Sequence, residues 1–352
     1  MEFVTPRRVA TLPAFTEWAW VATAVDIDGA RRLTTQTSTV LAVHDVDALI
    51  AGTSEPVRFS VPWRGIAAVS PTLDLAVFPG QHAVRAVDAA SRTRWEHRHA
   101  CWVRGCGKRH LDAAEYEGDR DHGHNGAGSA AFSADGRFVW ALALTDVEHE
   151  EWLVLDAATG EVSARADTGT RSYGSQQLRH PAPGRMVLSV AERSGPPLLW
   201  GAFDGSVLTV EPDYTERLLL DVDEARYLTN TDDRDSLAVH DLADGEVLGT
   251  VEPPALRRPS GAGDGPTRWQ CHAVFLNADS ALAVTDENDE LAGRNHHWLV
   301  DLPSMHLRTI RYPKPLEGLP LPLGGGRWLT GARGVGWCSE GAKARPPRIW
   351  EL

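Results

Sequence analysis

The sequence predicts an all-β chain, a seven-bladed β-propeller whose four-stranded antiparallel blades close into a ring. Three observations carry that expectation. Short apolar runs recur along the whole length of 352 residues. They are separated by turn chemistry, Asp-Gly above all, which supplies the positive-φ positions of a tight hairpin. The turns near 28, 72, 135, 183, 223, 279 and 324 lie 44, 63, 48, 40, 56 and 45 residues apart, the period of a propeller blade.

The middle of the chain holds the clearest unit. Residues 128–132 precede Ser133-Ala134-Asp135-Gly136, followed by the apolar run 138–144, the run 152–156, the turn Ala157-Ala158-Thr159-Gly160 and the run 162–167. Weaker copies occupy 18–25, 33–36 and 40–46, then 66–70, 73–78 and 84–88. After the middle unit come 186–190 with 198–210, and then 218–220, 226–229, 237–241 and 247–251. The last two copies are 273–276 with 282–285 and 298–302, and 319–323 with 328–330 and 335–337. Either terminal segment, 8–12 or 348–352, can supply the outer strand of the seventh blade, and the N-terminal one is favoured, because an unpaired edge must be covered. Trp102, Trp140, Trp152, Trp200, Trp298, Trp328 and Trp337 fall mostly in strand runs and are expected to pack between blades.

Two segments carry a family resemblance. Phe132-Ser133-Ala134-Asp135-Gly136-Arg137 and the segment Val154-Leu155-Asp156-Ala157-Ala158-Thr159-Gly160-Glu161-Val162 resemble the signatures of WD-repeat and YVTN-type bacterial propellers. Val239-His240-Asp241 with Asp244-Gly245-Glu246-Val247 echoes them. The chain is also similar to uncharacterised WD-repeat-like proteins of actinobacteria. That resemblance implies a fold and no activity, since propellers host scaffolds, receptors, lyases and hydrolases alike.

The chain is thus expected to be one domain over 1–352, with insertions at about 96–127 and 252–268. The second is Pro/Gly-rich and reads as a surface loop. Between residues 97 and 124 the first concentrates His97, His99, Cys101, Cys106, His110, Asp119, Asp121, His122 and His124, five of the 14 histidines and two of the four cysteines. Thiolate and imidazole are the donors zinc prefers, and four of them stabilise a loop that lacks a core of its own. Cys101 and Cys106 with His110 and one of His122 or His124 form the natural set for zinc or another divalent metal. Three readings stand side by side: a solvated polar loop, a closed structural site, and a catalytic site with an open position.

Propeller geometry would set Asp121, His122 and His124 at the mouth of the channel, with carboxylates such as Asp121 or Glu148 orienting the histidines. The gaps between second and third strands are acidic there. They comprise Asp146, Glu148, Glu150 and Glu151 with His149, then Asp232, Asp233 and Asp235, then Asp286, Glu287, Asp289 and Glu290 followed by His296 and His297. A rim of one sign attracts a cationic protein, peptide or small molecule, although solubility alone also favours acidic loops.

The formal net charge of -13 argues against nucleic acid, and no basic cluster exceeds Arg7-Arg8 or Arg257-Arg258. The scarcity of Lys and Ile is that of a GC-rich bacterial genome. No apolar run reaches membrane-spanning length or follows a charged leader, and four cysteines are too few for a disulfide scaffold, so a soluble cytoplasmic protein is expected. Ser175 and His180 lack a nucleophile elbow, and Cys271-His272 opens the sixth blade, with two placements open, facing the channel or, the favoured one, burial of the cysteine as a small apolar residue. The leading function is a binding or scaffold propeller with an acidic top face and a metal-stabilised insertion. The second is a metal-dependent lyase or hydrolase working at the top of the channel.

Overall fold

In the computed structural model the described residues are 2–13, 20–22, 32–63, 65–103, 106, 108–116, 118–119, 122, 128–145, 149–170, 174–190, 198–213, 217–231, 233–255, 267–286, 296–314, 318–331 and 346–352, with backbone alone for 20–22 and 286. They form a seven-bladed β-propeller of mostly four-stranded antiparallel blades. Two N-terminal strands, β1 (Phe3–Val4) and β2 (Arg7–Thr11), come first, followed by blade 1 with β3 (Trp20–Ala22), β4 (Arg32–Gln36), β5 (Val40–Asp45), the helix α1 (Val46–Ala51) and β6 (Val57–Ser60). Blade 2 is β7 (Ala68–Val69), β8 (Leu75–Pro79), β9 (Ala83–Asp88) and β10 (Thr93–Arg98), and blade 3 is β11 (Ala130–Phe132), β12 (Phe138–Leu144), β13 (Glu150–Asp156) and β14 (Val162–Asp167).

Blade 4 holds β15 (Ser175–Arg179), β16 (Arg185–Val190), β17 (Leu198–Phe203) and β18 (Leu208–Asp213). Blade 5 holds β19 (Arg217–Val222), β20 (Arg226–Thr231), β21 (Leu237–Asp241) and β22 (Val247–Val251). Blade 6 is β23 (Arg268–Asn277), β24 (Ser280–Asp286), β25 (His296–Asp301) and β26 (His306–Ile310), to which β1 adds a fifth strand in parallel. Blade 7 is β27 (Leu321–Gly324), β28 (Arg327–Thr330), β29 (Arg348–Glu351) and the N-terminal β2, paired antiparallel to β29. The N-terminal segment therefore supplies the outer strand, and the C-terminal segment is the third strand of its blade. The run 335–337 lies outside the described residues.

The local chemistry of the middle blade explains its signatures. Ser133 Oγ donates to Asp135 Oδ1 at 2.6 Å and accepts the Phe138 N–H at 3.0 Å, while Gly136 takes φ 71°. The turn thus closes on its own side chains and leaves both strands free to pair. Asp156 Oδ1 accepts the N–H groups of Ala158 and Thr159 at 2.9 Å each, and Gly160 takes φ 74°. The alternation of β12 and β13 then sends Val139, Ala141, Leu153 and Leu155 to one face, and Trp140, Leu142, Trp152 and Val154 to the other.

The chain packs as two compact units, one comprising Met1–Thr37, Val43–Pro56 and Leu218–Leu352, the other Ser38–Ala42 and Val57–Arg217. In the second unit, Val77, Val84 and Ala86 of blade 2 bury the first face of blade 3, and the Trp95 indole N–H donates to the Ala157 carbonyl at 2.8 Å. Met186, Leu188 and Leu199 of blade 4 bury the other face. A Cβ at Gly201 would stand 2.7 Å from the rings of Trp140 and Trp152, so only glycine fits beneath that pair. In the first unit Trp269, Trp298, Trp328 and Trp350 are each fully buried in the layers between blades 5, 6 and 7. The expected interblade role of the tryptophans holds for Trp140, Trp152, Trp298 and Trp328, while Trp337 is outside the described residues.

Several boundaries differ from the sequence reading. β10 extends to Arg98, so the first three residues of the expected insertion belong to blade 2. β13 begins at Glu150, and Glu150 is fully buried, accepting the Thr170 hydroxyl at 2.9 Å; it belongs to the blade and not to an acidic rim. Cys271 is half-buried rather than buried. Among the described residues no helix is long and apolar enough to cross a membrane.

Candidate metal centre

The segment between β10 and β11 leaves blade 2 under tight backbone control. His99 N–H donates to the His82 carbonyl at 2.9 Å, Trp102 N–H to Gln81 at 3.0 Å, and Ala100 N–H to Leu144 at 2.9 Å. Cys101, 1% exposed, is thereby seated between the β8–β9 turn and the end of β12. Its N–H donates to the Lys108 carbonyl at 3.0 Å, and Cys106 N–H donates to Val103 at 3.0 Å, so the chain doubles back and returns the second cysteine to the first. A short 3-10 turn, Ala113–Tyr116, follows, with Asp112 Oδ1 accepting the Ala114 N–H at 3.0 Å as its cap.

Four donor atoms, from Cys101, Cys106, His110 and His122, lie within 4.8 Å of one another. Cys106 Sγ is 3.3 Å from His110 Nε2. Tetrahedral zinc with Zn–S of about 2.3 Å and Zn–N of about 2.0–2.1 Å spaces its ligands roughly 3.3–3.8 Å apart, so that pair already stands at ligand spacing.

Each histidine is oriented by a carboxylate. His110 Nδ1 is 3.0 Å from Glu115 Oε2, and His122 Nδ1 is 2.9 Å from Asp119 Oδ2. A carboxylate at Nδ1 fixes the proton there and leaves the Nε2 lone pair facing the cysteines, the tautomer a metal requires. Glu115 is itself held, since its other oxygen accepts the Leu111 N–H at 2.8 Å. Tyr116 forms the wall. Its ring stacks on His122 with centroids 5.0 Å apart and meets the His110 ring edge-on, also at 5.0 Å, and its hydroxyl is 2.6 Å from His82 Nδ1.

The electrostatics of the four groups are uneven. Burial pushes the Cys101 thiol up to about 12. Partial burial also raises Cys106, but the Lys108 N–H and the two imidazoles outweigh it and bring that thiol down to about 7. Burial lowers His122, yet Cys106 and Asp119 overcome it and hold the imidazole above its ordinary value. His122 Nε2 is buried and meets no partner at full hydrogen-bond geometry, the Cys106 sulfur acting on the imidazole only as a weak hydrogen-bonding and charged neighbour. A buried polar atom without a partner costs about 1–3 kcal/mol, and a bound cation at that point removes the cost. The donor chemistry, the spacing and the orphaned nitrogen all fit zinc.

The fourth donor brought to the cluster is His122, with His124 outside the described residues. Asp121 and Glu148, the expected orienting carboxylates, are likewise outside them; Asp119 and Glu115 have that contact among the described residues. Asp232 and Glu287 also fall outside, and Asp286 is described only as the end of β24. His149 lies just before β13, Asp233 in the turn after β20, and His296 at the start of β25. The three do not join the Cys/His cluster.

No family model matches the chain, and no curated protein matches it in sequence. Its structure is similar to the WD40 repeats of RRP9, with a TM-score of 0.60 and 12% identity over 98% of this chain and 99% of that one. It is similar to the Pan2 WD40 domain of Neurospora crassa, with a TM-score of 0.53 and 13% identity over 98% and 95%. A chain of the mitotic checkpoint complex matches with a TM-score of 0.53 and 8% identity over 100% and 93%. Identities this low establish the fold and carry no activity with them. The chain has the fold of the WD40 β-propellers.

Proposed function

We propose that the protein is a protein-binding scaffold propeller whose blade 2 to blade 3 insertion is held in shape by one structural zinc ion. The observation that carries the metal is the convergence of the Cys101, Cys106, His110 and His122 donor atoms within 4.8 Å. Four protein donors complete a tetrahedral shell, as structural zinc sites do, and leave no position for water or substrate. A lyase or hydrolase needs such a position, so the scaffold reading accounts better for the donor set. The metal would add no chemistry of its own; it would replace the hydrophobic core that the insertion lacks.

The partner we propose is a cationic protein or peptide. Support comes from the whole-chain likeness to WD40 propellers and from a net charge of -13 with acid-rich stretches at 146–148, 232–235 and 286–290. Such binding weakens with salt.

Metal analysis of the purified chain beside His122→Ala tests the site. One zinc per chain, lost in the variant together with a clear fall in melting temperature, is expected. Zinc lost with no change in melting temperature contradicts the structural role, and no zinc in either protein contradicts the site. A Lys/Arg-rich peptide retained at about 0.05 M salt and released at about 0.5 M supports the charge of the partner; retention unchanged by salt contradicts it.

A further inference from the structure

We infer that the Cys/His site is peroxide-sensitive: oxidation of Cys106 and Cys101 to a disulfide would expel the metal and release the insertion. The inference rests on the zinc reading and concerns the regulation of the same site. Its basis is an asymmetry between two sulfurs that share one small volume. Cys106 is partly exposed, whereas Cys101 is 1% exposed. An oxidant from solvent therefore reaches one thiolate first and finds the second within 4.8 Å. Both cysteines lie beyond the end of β10 at Arg98, held by Cys101 N–H to the Lys108 carbonyl and Cys106 N–H to the Val103 carbonyl, so the sulfurs can approach bonding distance without movement of a blade strand.

The step balances with hydrogen peroxide as the two-electron oxidant. The Cys106 sulfur attacks one peroxide oxygen, the O–O bond breaks, and hydroxide leaves and takes a proton to become water, giving the sulfenic acid. The Cys101 thiolate then attacks the Cys106 sulfur, the S–O bond breaks, and a second hydroxide departs as water after taking a second proton. Two thiolates, one peroxide and two protons yield one disulfide and two waters. Half of the donor set is consumed, and two histidines alone hold a divalent ion weakly, so the ion is released unreduced. His110 and His122 keep Glu115 and Asp119 but lose the charge that drew their Nε2 atoms together.

The clean experiment uses Cys271→Ser/Cys338→Ser, which leaves Cys101 and Cys106 as the only thiols of the chain's four. The zinc-loaded variant is titrated with hydrogen peroxide while released zinc, free thiols and peptide masses are followed. One zinc released for every two thiols lost, a 101–106 disulfide in the peptide map, and recovery on adding reductant and zinc are expected. Zinc retained at several equivalents of peroxide overturns the switch and leaves the structural zinc standing. Release through Cys106 sulfinic acid, with no disulfide and no recovery, also overturns it. A wild-type chain that takes up no zinc overturns both readings together. Should the double variant fold poorly, differential labelling of thiols in the wild-type chain before and after peroxide gives the same discrimination.

Discussion

Two histidine sites in this molecule, His297 and His122, place a buried ring nitrogen in opposite ways. In the first unit, His297 is enclosed by groups of its own fold. Its Nε2–H donates to the Gly318 carbonyl at 3.0 Å, and Nδ1 accepts from the Tyr312 hydroxyl at 2.9 Å, which in turn accepts the Trp328 indole N–H at 2.9 Å. Every polar atom of that chain has a partner, and burial holds His297 at about 4, neutral at physiological pH. In the second unit, His122 has a carboxylate behind it and an unpartnered Nε2 in front, beside two sulfurs and a second imidazole aimed the same way. A closed network stabilises a blade, while an open one with converging donors calls for a ligand. Counting histidines cannot separate the two cases. What separates them is where the second ring nitrogen goes.

The contrast can be broken most severely at Cys101. Cys101→Ala should abolish zinc binding, read as metal per chain, and leave the His297 network untouched. A variant that keeps its zinc would show that the sulfur is not a ligand.

Acid should discriminate the regions next. His297 and His99, both held near 4, bind no proton in the folded state between about pH 6.5 and 4, whereas the unfolded chain does. The unfolded state thus holds more protons, and stability falls as pH drops through that window. Asp221 acts in the opposite sense. Burial raises it to about 7 against the N–H groups of Phe275 and Val222, so its folded state gains stability as pH falls from 7 toward 3.8. Relative to wild type, His297→Gln should flatten the slope of unfolding free energy by about 1.4 kcal/mol per pH unit, up to about 3 kcal/mol in all, and Asp221→Asn should steepen it by the same amount per unit. Parallel pH profiles of urea midpoints for the three proteins would refute these assignments.

Tyr312→Phe removes the hydroxyl that serves both His297 and Trp328. It should cost about 2–3 kcal/mol in urea denaturation, with the same loss in chelator and in zinc. A loss that depends on zinc would erase the distinction between the regions. The smallest effect belongs to the carboxylates behind the ligands. Glu115→Gln and Asp119→Asn should each weaken zinc about 10- to 100-fold in a competition assay while preserving one ion per chain at saturation. Unchanged affinity in both would mean that they do not orient the imidazoles.

Much of the fold was legible because its turns carry their own chemistry. The Ser-Ala-Asp-Gly and Ala-Ala-Thr-Gly segments of blade 3 can be read as hairpins from residue type alone, and the hydrogen bonds of Asp135 and Asp156 show why. Strand β15 escaped because Ser-Gln-Gln-Leu-Arg has no apolar alternation, each residue being half-buried. Helix α1 escaped because it is six residues long, although Asp45 at its N-cap and Gly52 at φ 73° mark both ends. At the metal centre, residue type identified the donors Cys101, Cys106, His110 and His122. It did not single out Glu115 and Tyr116, whose contacts depend on the 3-10 turn that presents them. The spacing of His110 to Glu115 was a signal within reach, whereas the stacking of Tyr116 on His122 had none in the sequence.

X-ray absorption at the zinc edge of the metal-loaded wild-type chain reads the ligand shell itself. Two sulfurs at about 2.3 Å and two nitrogens at about 2.0–2.1 Å are expected around the ion. A shell of nitrogen and oxygen alone, or one in which water takes a fourth position, would contradict it.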